Sequence, residues 1–191
     1  MKTRIREQIE ESFSVKKSLI SLNNDIEKTI LILLDVLKQG NKIMIAGNGG
    51  SAADAQHFAA ELVGKFKINR QGLACIALTV DSSFITAWSN DVDFNNIFSR
   101  QIEALGKPGD VFIGISTSGT SRNILEAVNR AKEMNIRTIG LIGNNGGLMK
   151  DLVEHSLIVD SSNTPRIQES HITIIHIICE LLEIQLLKSI E

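Results

Sequence analysis

Five short apolar runs alternate with stretches of helical patterning, and this alternation constrains the fold more than any other feature of the chain. Three of the runs are almost continuously apolar, as in strands that are covered on both faces. The predicted strands are Lys42–Ala46, Ala74–Thr79, Val111–Ser116, Arg137–Ile142 and Ser156–Asp160. The predicted helices between them are Ser51–Phe66, Asn95–Leu105, Ser121–Met134 and Gly147–His155. This order predicts an α/β fold, a three-layer αβα sandwich around a five-stranded parallel sheet with right-handed crossovers.

Further helices flank this core in the sequence. A pair is predicted before the first strand, at Arg4–Leu22 and Asp25–Gln39, and Gly40 follows the second helix as a C-terminal cap. A long last helix, Arg166–Ser189, carries Ile and Leu around most of its circumference. Such a helix must be buried on nearly all sides, and in a chain of this length another subunit supplies the second covering surface. We therefore expect a homo-oligomer.

The composition is typical of one globular domain in a reducing compartment. With 191 residues and 43% hydrophobic content, we expect residues 1–40 to contribute helices to an oligomer interface and residues 41–191 to form the core and last helix. A net charge of −2 without a basic run argues against nucleic acid as a partner. The N-terminus lacks the apolar core of a signal peptide, and no run of about 18 uncharged apolar residues predicts a membrane span. Cys75 and Cys179 are predicted to be buried free thiols, so we expect a cytoplasmic protein without a membrane partner.

A glycine-rich turn follows the first predicted strand and opens a helix. Its residues are Asn48, Gly49, Gly50 and Ser51. Such a turn lets the backbone approach a phosphate, and the free N–H groups of the first helical turn point toward it. His57 and Glu61 follow on one face of the same helix, where they suit metal binding or proton transfer. The alternatives are an ordinary tight turn and a satisfied core histidine.

A second polar loop follows the third predicted strand. Its hydroxyl residues are Ser116, Thr117, Ser118, Thr120 and Ser121, with Gly119 among them. Hydroxyl and backbone N–H donors at a helix start suit a phosphate, whereas an N-terminal cap needs only one or two of them. Because both loops follow parallel strands, we expect them to converge at one edge of the sheet. His176 adds a polar group to an otherwise apolar helix, and such a group is costly without a partner.

These segments resemble the sugar-isomerase (SIS) family of phosphosugar-binding domains and, within it, the phosphoheptose isomerases. The resemblance rests on Gly47–Ser51, Gln56–Leu62, Ile113–Gly119 and Arg166–His171, and it extends over nearly the whole chain. It implies that Ser116, Thr117, Ser118 and Ser121 hold the phosphate. It implies further that the sugar is contacted by Asn48, Gly49, Gly50, Ser51, Asn90 and Asp91, with Glu61 and Gln168 beside it. One zinc ion per subunit would be held by His57, Glu61, Gln168 and His176.

The reaction implied by the resemblance is an aldose–ketose isomerisation. Sedoheptulose 7-phosphate would become D-glycero-D-manno-heptose 7-phosphate through an enediolate, as the first step toward nucleotide-activated heptose for surface polysaccharide. Glu61 is the candidate base at carbon and His176 the candidate acid at oxygen. A carboxylate bound to zinc is a poorer base, so the two roles of Glu61 conflict. Lys65 and Pro165 depart from some relatives, which have Arg and an acidic residue there.

The spacing of two predicted zinc ligands on the last helix indicates whether one chain can complete the site. Gln168 and His176 lie eight residues apart, roughly 12 Å along a continuous helix at about 1.5 Å per residue. Either Gln168 precedes the helix, or the site is completed across a subunit interface. The apolar last helix favours the interface, and the resemblance implies a tetramer.

Two other functions are alternatives to the isomerase. A related non-enzymatic protein binds the replication initiator DnaA but lacks the Glu and the terminal His, both of which this chain has. A sugar-phosphate-sensing regulator would carry a DNA-binding domain, and no helix-turn-helix extension is present.

His155, at the end of a predicted helix, is interpreted as structural. His171 and Trp88 suit either packing or the site.

Overall fold

The computed structural model describes residues 1–188. The helices are α1 Lys2–Ser18, α2 Asn23–Lys38, α3 Gly50–Val63, α4 Ser82–Asp91, α5 Ile97–Leu105, α6 Arg122–Glu133 and α7 Thr164–Lys188. The strands are β1 Ile43–Gly47, β2 Cys75–Ala77, β3 Val111–Ser116, β4 Arg137–Gly143 and β5 His155–Val159. Short 3-10 turns occupy Leu19–Leu22, Phe94–Asn96 and Met149–Asp151.

The five strands form one parallel sheet in the order β2-β1-β3-β4-β5. Every residue of β1 and β3 is buried, which explains why these runs are apolar without alternation. The chain leaves β1 toward β2 on one side and later returns to add β3 on the other. Ligands of open α/β sheets bind beyond the carboxyl ends of the strands at such a switch point. The fold therefore places the candidate site beyond the ends of β1 and β3.

Helices cover both faces of the sheet, which confirms the three-layer sandwich. On one face, α2, α3 and α7 pack on inward residues such as Ile43, Ile45 and Ile113. On the other face, α5 and α6 pack on Met44, Phe112 and neighbouring side chains. Cys75 and Cys179 are buried free thiols, as predicted, and both lie in the core between the sheet and helices α2, α3 and α7.

The predicted N-terminal pair and the long last helix are present. Gly40 has a φ of +74°, and the amides of Gly40 and Asn41 donate to the carbonyls of Leu37 and Val36 in a Schellman motif, so Gly40 caps α2 as predicted. Helix α7 is long and apolar enough to cross a membrane by length and composition alone, a feature that core helices of globular proteins share. Its Ile174, Ile175 and Ile178 are buried against the sheet layer. The predicted end of this helix, Ser189, lies outside the described residues.

The structure departs from the predicted secondary structure in three places. The segment Gly147–His155 is not a helix: it holds only the 3-10 turn at Met149–Asp151, and His155 begins β5. His155 therefore does not cap a helix. Its Nε2 atom instead lies 2.9 Å from the backbone carbonyl oxygen of Asp25, within hydrogen-bond distance. Helix α4, which was not predicted, starts after Asp81, whose carboxylate accepts from the amide of Phe84 at 2.9 Å. The first helix breaks at Leu19–Leu22, where the chain turns into α2.

Candidate functional site

The glycine turn joins β1 directly to α3. Gly49 has a φ of +56°, a conformation that side chains disfavour, and a Cβ on Gly47 would lie 2.6 Å from the carbonyl oxygen of Ser51. Among residues 1–188, no side chain caps the first turn of α3. The turn therefore presents backbone N–H groups and the positive end of the helix dipole at the edge of the sheet.

The hydroxyl loop follows β3, the strand next to β1. The Oγ atoms of Ser116 and Ser121 lie 2.9 Å apart, and buried Ser116 also accepts from the amide of Gly119 at 3.1 Å. Ser118 and Thr120 have their hydroxyl oxygens 2.9 Å apart. Ser121 precedes α6 but makes no side-chain capping bond, so the loop is not used as a simple N-terminal cap. Helix α6 thus offers a second uncapped N-terminus beside the first.

The two loops are joined by a pair of side-chain amides. Asn48 donates to Asn123 at 2.9 Å, and Asn123 donates back at 2.8 Å. Asn123 is buried in the first turn of α6. This bridge confirms that the loops converge, as their positions after neighbouring strands predicted. Sequence reasoning missed Asn123, although an amide in the first turn after a phosphate-type loop was a usable signal.

An imidazole–carboxylate cluster lies along α3 and α7. The Nε2 atom of His57 is 3.2 Å from Oε1 of Glu61 and 3.1 Å from Nε2 of His176. The side chains of His57 and Glu61 are 43% and 25% exposed, so solutes reach them. The ring of His176 also faces Phe66, with 5.6 Å between ring centroids. The structure therefore brings together three residues that the sequence placed in one site.

Gln168 lies elsewhere along α7. The helix already begins at Thr164, so the possibility that Gln168 precedes it is wrong. Its amide packs on Gly50, where a Cβ would lie close to Nε2 of Gln168. Gln168 therefore belongs to the glycine turn at the start of α3. His176 meets His57 seven residues further along α3, roughly 10 Å away at about 1.5 Å per residue.

Comparisons with known proteins agree with this architecture. The SIS domain model matches residues 9–143, more than half of the chain. A phosphoheptose isomerase from Geotalea daltonii is 53% identical over 180 residues, 94% of each chain. The chain belongs to the phosphoheptose isomerase family of SIS domains. A phosphoheptose isomerase from Helicobacter pylori is 51% identical over 170 residues, covering 89% of this chain and 88% of that one. The solved structure of a phosphoheptose isomerase from Neisseria gonorrhoeae matches with a TM-score of 0.91 at 41% identity, covering 95% of this chain and 98% of that one.

Other predicted residues of this family member lie apart from the loops. Asn90 and Asp91 end α4 on an exposed surface, where the amide of Asn90 donates to the carboxylate of Asp91 at 2.8 Å. Within residues 1–188, no hydrogen bond or ion pair joins either residue to the two loops. Trp88 packs on Phe84, with 5.8 Å between ring centroids, and lies against the core on the α5 and α6 face of the sheet.

Two further ionisable groups on α3 and α7 are shielded from solvent, His171 fully and Asp54 in part. His171 is fully buried, and burial lowers its pKa to about 4, against a smaller opposing effect of the Ile142 backbone. A neutral, enclosed ring identifies His171 as a packing residue. Asp54 lies one turn before His57 on α3 and was not predicted. Burial raises the pKa of its carboxyl, opposed by the charge of His57, and its Oδ2 has no hydrogen-bond partner.

The donor set suits zinc in part. Two ligands about 2.0–2.1 Å from a tetrahedral ion lie about 3.3 Å apart, close to the 3.1 and 3.2 Å that separate His57 from His176 and Glu61. Both imidazoles and the carboxylate are ordinary zinc ligands. Among residues 1–188 of one chain, however, no three His, Cys, Asp or Glu groups form a complete metal cluster. A single chain thus supplies fitting pairs of ligands, with Gln168 set apart from them.

Proposed function

We propose that this chain is an aldose–ketose isomerase that interconverts sedoheptulose 7-phosphate and D-glycero-D-manno-heptose 7-phosphate. The observation that carries the proposal is the arrangement of two uncapped, hydrogen-bonded loops beside the cluster of His57, Glu61 and His176. The names of the relatives, which are phosphoheptose isomerases, supply the substrate. The product would feed nucleotide-activated heptose for surface polysaccharide, in the cytoplasm.

The hydroxyl loop binds the phosphate in this proposal. Ser116, Thr117, Ser118 and Ser121 surround the N-terminus of α6, so hydroxyl groups, backbone N–H groups and the helix dipole act on one dianion. The glycine turn then faces the sugar, through Asn48, Gly49, Gly50 and Ser51, with Gln168 packed against it. Asn90 and Asp91 are further candidates for contact with the sugar, through the exposed end of α4.

Glu61 and His176 divide the proton transfers in the proposed mechanism. The Glu61 carboxylate takes a proton from C1 of the ketose and returns it to C2, while His176 donates a proton to O2 and accepts one from O1. His57 contacts both groups, at 3.2 and 3.1 Å, and holds them side by side. Proton transfer between two carbons by one base requires that the carboxylate stay close to both, which this packing supports.

His57, Glu61, Gln168 and His176 are the residues that would hold the zinc ion. When bound there, zinc polarises the carbonyl and stabilises the enediolate oxygens. Gln168 lies at the glycine turn, apart from the other three residues. This separation supports a site that draws on a second subunit.

Exposed apolar residues support a homotetramer. Ile5, Ile9 and Phe13 repeat every four residues along α1 and are 54%, 65% and 71% exposed. Elsewhere on the same helix, the backbone carbonyl of Gln8 accepts from Arg166 of α7, and the carboxylate of Glu11 accepts from Asn163, the residue before α7. A regular apolar stripe on an otherwise anchored helix suits burial against another copy of the chain.

The alternative of a DnaA-binding protein finds no support in these comparisons, because the relatives reported above are named as isomerases. The test is turnover of sedoheptulose 7-phosphate, with and without zinc, by wild type, Glu61→Gln and His176→Gln. We expect wild-type turnover and a loss of at least about 100-fold in kcat for each variant at unchanged folding. An oligomeric, zinc-loaded wild type without turnover would refute the isomerase and make DnaA binding the next assay.

A further inference from the structure

A buried ion pair joins the segment after α3 to α7. Arg70 and Glu183 have side chains that are 7% and 0% exposed, and Nε of Arg70 lies 2.9 Å from Oε1 of Glu183. This contact is an ion pair without hydrogen-bond alignment at Nε. Glu183 lies two turns beyond His176 on α7, so the pair sits directly below the imidazole–carboxylate cluster. Neither residue belongs to the substrate or zinc ligands proposed above.

Glu183 binds the backbone of the segment that leads away from α3. Its carboxylate accepts the amides of Phe66, Lys67 and Ile68 at 2.8, 2.8 and 3.0 Å. Burial by itself raises the pKa of this carboxyl, but the three amide bonds and the charge of Arg70 outweigh burial and lower the pKa. Glu183 is therefore ionised, and its charge is balanced by backbone dipoles and by Arg70.

Arg70 binds the end of α3. Its guanidinium donates to the carbonyls of Glu61 and Leu62 at 3.0 and 2.9 Å, and to that of Gln71 at 3.0 Å. The last carbonyls of a helix have no partner within the helix, so Arg70 caps α3 at its C-terminus. One of these carbonyls belongs to the proposed base itself. Arg70 thus holds the backbone from which the Glu61 side chain projects.

The same unit also reaches His176. Phe66, whose amide is bound by Glu183, places its ring 5.6 Å from the ring of His176. Glu183 is itself part of α7, the helix that carries His176. The pair therefore connects the backbone of Glu61 with both the helix and one ring contact of His176.

We propose that Arg70 and Glu183 form a positioning unit, which sets the distance between Glu61 and His176 for proton transfer. A buried ion pair is in general weak evidence for stability, because its desolvation cost offsets its attraction. Here its hydrogen bonds go to the backbone of Glu61 and to the segment containing Phe66, which indicates that its role is geometric. The proposal rests on the proposed isomerase function and on the roles given there to Glu61 and His176.

Arg70→Lys and Glu183→Gln test the proposal. Lysine keeps the positive charge of Arg70 but lacks the planar guanidinium group that donates to two carbonyls. Glutamine keeps the shape of the Glu183 side chain but removes its negative charge. A misplacement of about 1 Å at a reacting group costs up to about 100-fold in rate, so we expect kcat to fall 10- to 100-fold. The KM for sedoheptulose 7-phosphate should change less than about threefold, because the hydroxyl loop that holds the phosphate lies on β3 and α6.

Asp110→Asn is the matched control. Asp110 is fully buried and pairs with Lys42 and the amide of Lys107 at the opposite end of the strands. We expect this variant to lose stability and to keep the wild-type kcat in its folded fraction. All assays are run at least 10 °C below the melting temperature of each variant, with folding checked by circular dichroism. If Glu183→Gln does not fold, Arg70→Lys still tests the guanidinium contacts to α3, since it leaves in place the hydrogen bonds that Glu183 accepts from three backbone amides.

The outcomes separate the two proposals. A wild type without turnover refutes the isomerase function and this inference with it. An active wild type, with Arg70→Lys and Glu183→Gln matching Asp110→Asn in kcat, refutes the positioning unit alone. A selective loss of kcat in the two variants, at nearly constant KM, supports it.

Discussion

At the scale of single residues, the site depends on groups that touch no substrate. The resemblance placed His57, Glu61 and His176 in one site, and the structure brings their side chains together at 3.1–3.2 Å. The side chains that hold the two loops together were harder to predict from the sequence. Sequence reasoning missed Asn123, because an asparagine in the first turn of a helix is also typical of an exposed surface.

Asn123→Ala should weaken substrate binding. It removes two side-chain hydrogen bonds to Asn48, each worth about 1 kcal/mol, and frees the amide that lines the glycine turn. We expect KM for sedoheptulose 7-phosphate to rise about tenfold, with a smaller change in kcat. Steady-state kinetics measure both, and Asn129→Ala, on the exposed side of the same helix, is the control. Equal kinetics in the two variants would contradict a role for the amide bridge.

His171 should make stability depend on pH. Its pKa is about 4 in the folded chain, below the ordinary value of 6.5, because burial disfavours the charged ring. On acidification the unfolded chain binds this proton first, so the stabilisation is complete above pH 6.5 and is lost as the pH falls toward 4. The difference corresponds to about 3 kcal/mol of unfolding free energy.

Urea unfolding at several pH values measures this effect against His171→Leu. The variant has no titrating ring at this position and should lose less stability than wild type between pH 6.5 and 4. Parallel stability curves for the two proteins would show that His171 does not titrate in this way.

At the scale of elements, buried strands were predictable and partly exposed helices were not. The strands β1, β3 and β4 are covered on both faces, and their continuous apolar runs mark them directly. Helix α4 contains no fully buried residue, and its apolar stripe of Phe84, Ile85 and Trp88 is short and only partly buried, so it does not stand out in the sequence. Gly147–His155 has helical apolar spacing, but Gly146 and Gly147 adopt φ values of +85° and +52° and pack on the hydroxyl loop. Tertiary contacts therefore overrode the local pattern there.

The contact between Gly146 and the hydroxyl loop makes Gly119 a sensitive position of the proposed phosphate-binding loop. A Cβ at Gly119 would overlap the carbonyl oxygen of Gly146, and the φ of +67° already disfavours a side chain. We expect Gly119→Ala to reduce the free energy of unfolding by at least about 2 kcal/mol and to raise KM at least tenfold. Thermal unfolding and steady-state kinetics measure the two effects.

Gly40→Ala separates backbone strain from loop displacement. Gly40 has a similar φ of +74°, but nothing lies within 4 Å of its Cβ position. This variant should lose only about 1 kcal/mol and keep the wild-type KM. A Gly119→Ala variant with wild-type KM would contradict the role of the hydroxyl loop in phosphate binding.

At the scale of the whole molecule, one chain supplies both phosphate-type loops but distributes the proposed zinc ligands along two helices. Gln168 lies at the start of α3, whereas His57, Glu61 and His176 lie toward its end. The spacing of Gln168 and His176 in the sequence already indicated that one straight helix cannot bring both side chains to one ion. Because α7 is continuous and begins before Gln168, a Gln168 that precedes the helix does not resolve this separation within one chain. Assembly of subunits is therefore part of the proposed site.

Phe13→Asp tests this dependence on assembly. Phe13 is 71% exposed, while Gln8, Glu11 and Ser12 bond to residues 163–169 of the same chain, so the substitution leaves these contacts in place. A charge in an apolar interface is costly, and we expect the mass by light scattering to fall from a tetramer toward the 21.0 kDa monomer. Turnover should fall at least tenfold at unchanged folding, whereas Leu105→Asp, at an exposed position on α5, keeps both mass and activity. A folded monomer with wild-type turnover would show that one chain holds the complete site, and a tetramer would show that α1 is not in the interface.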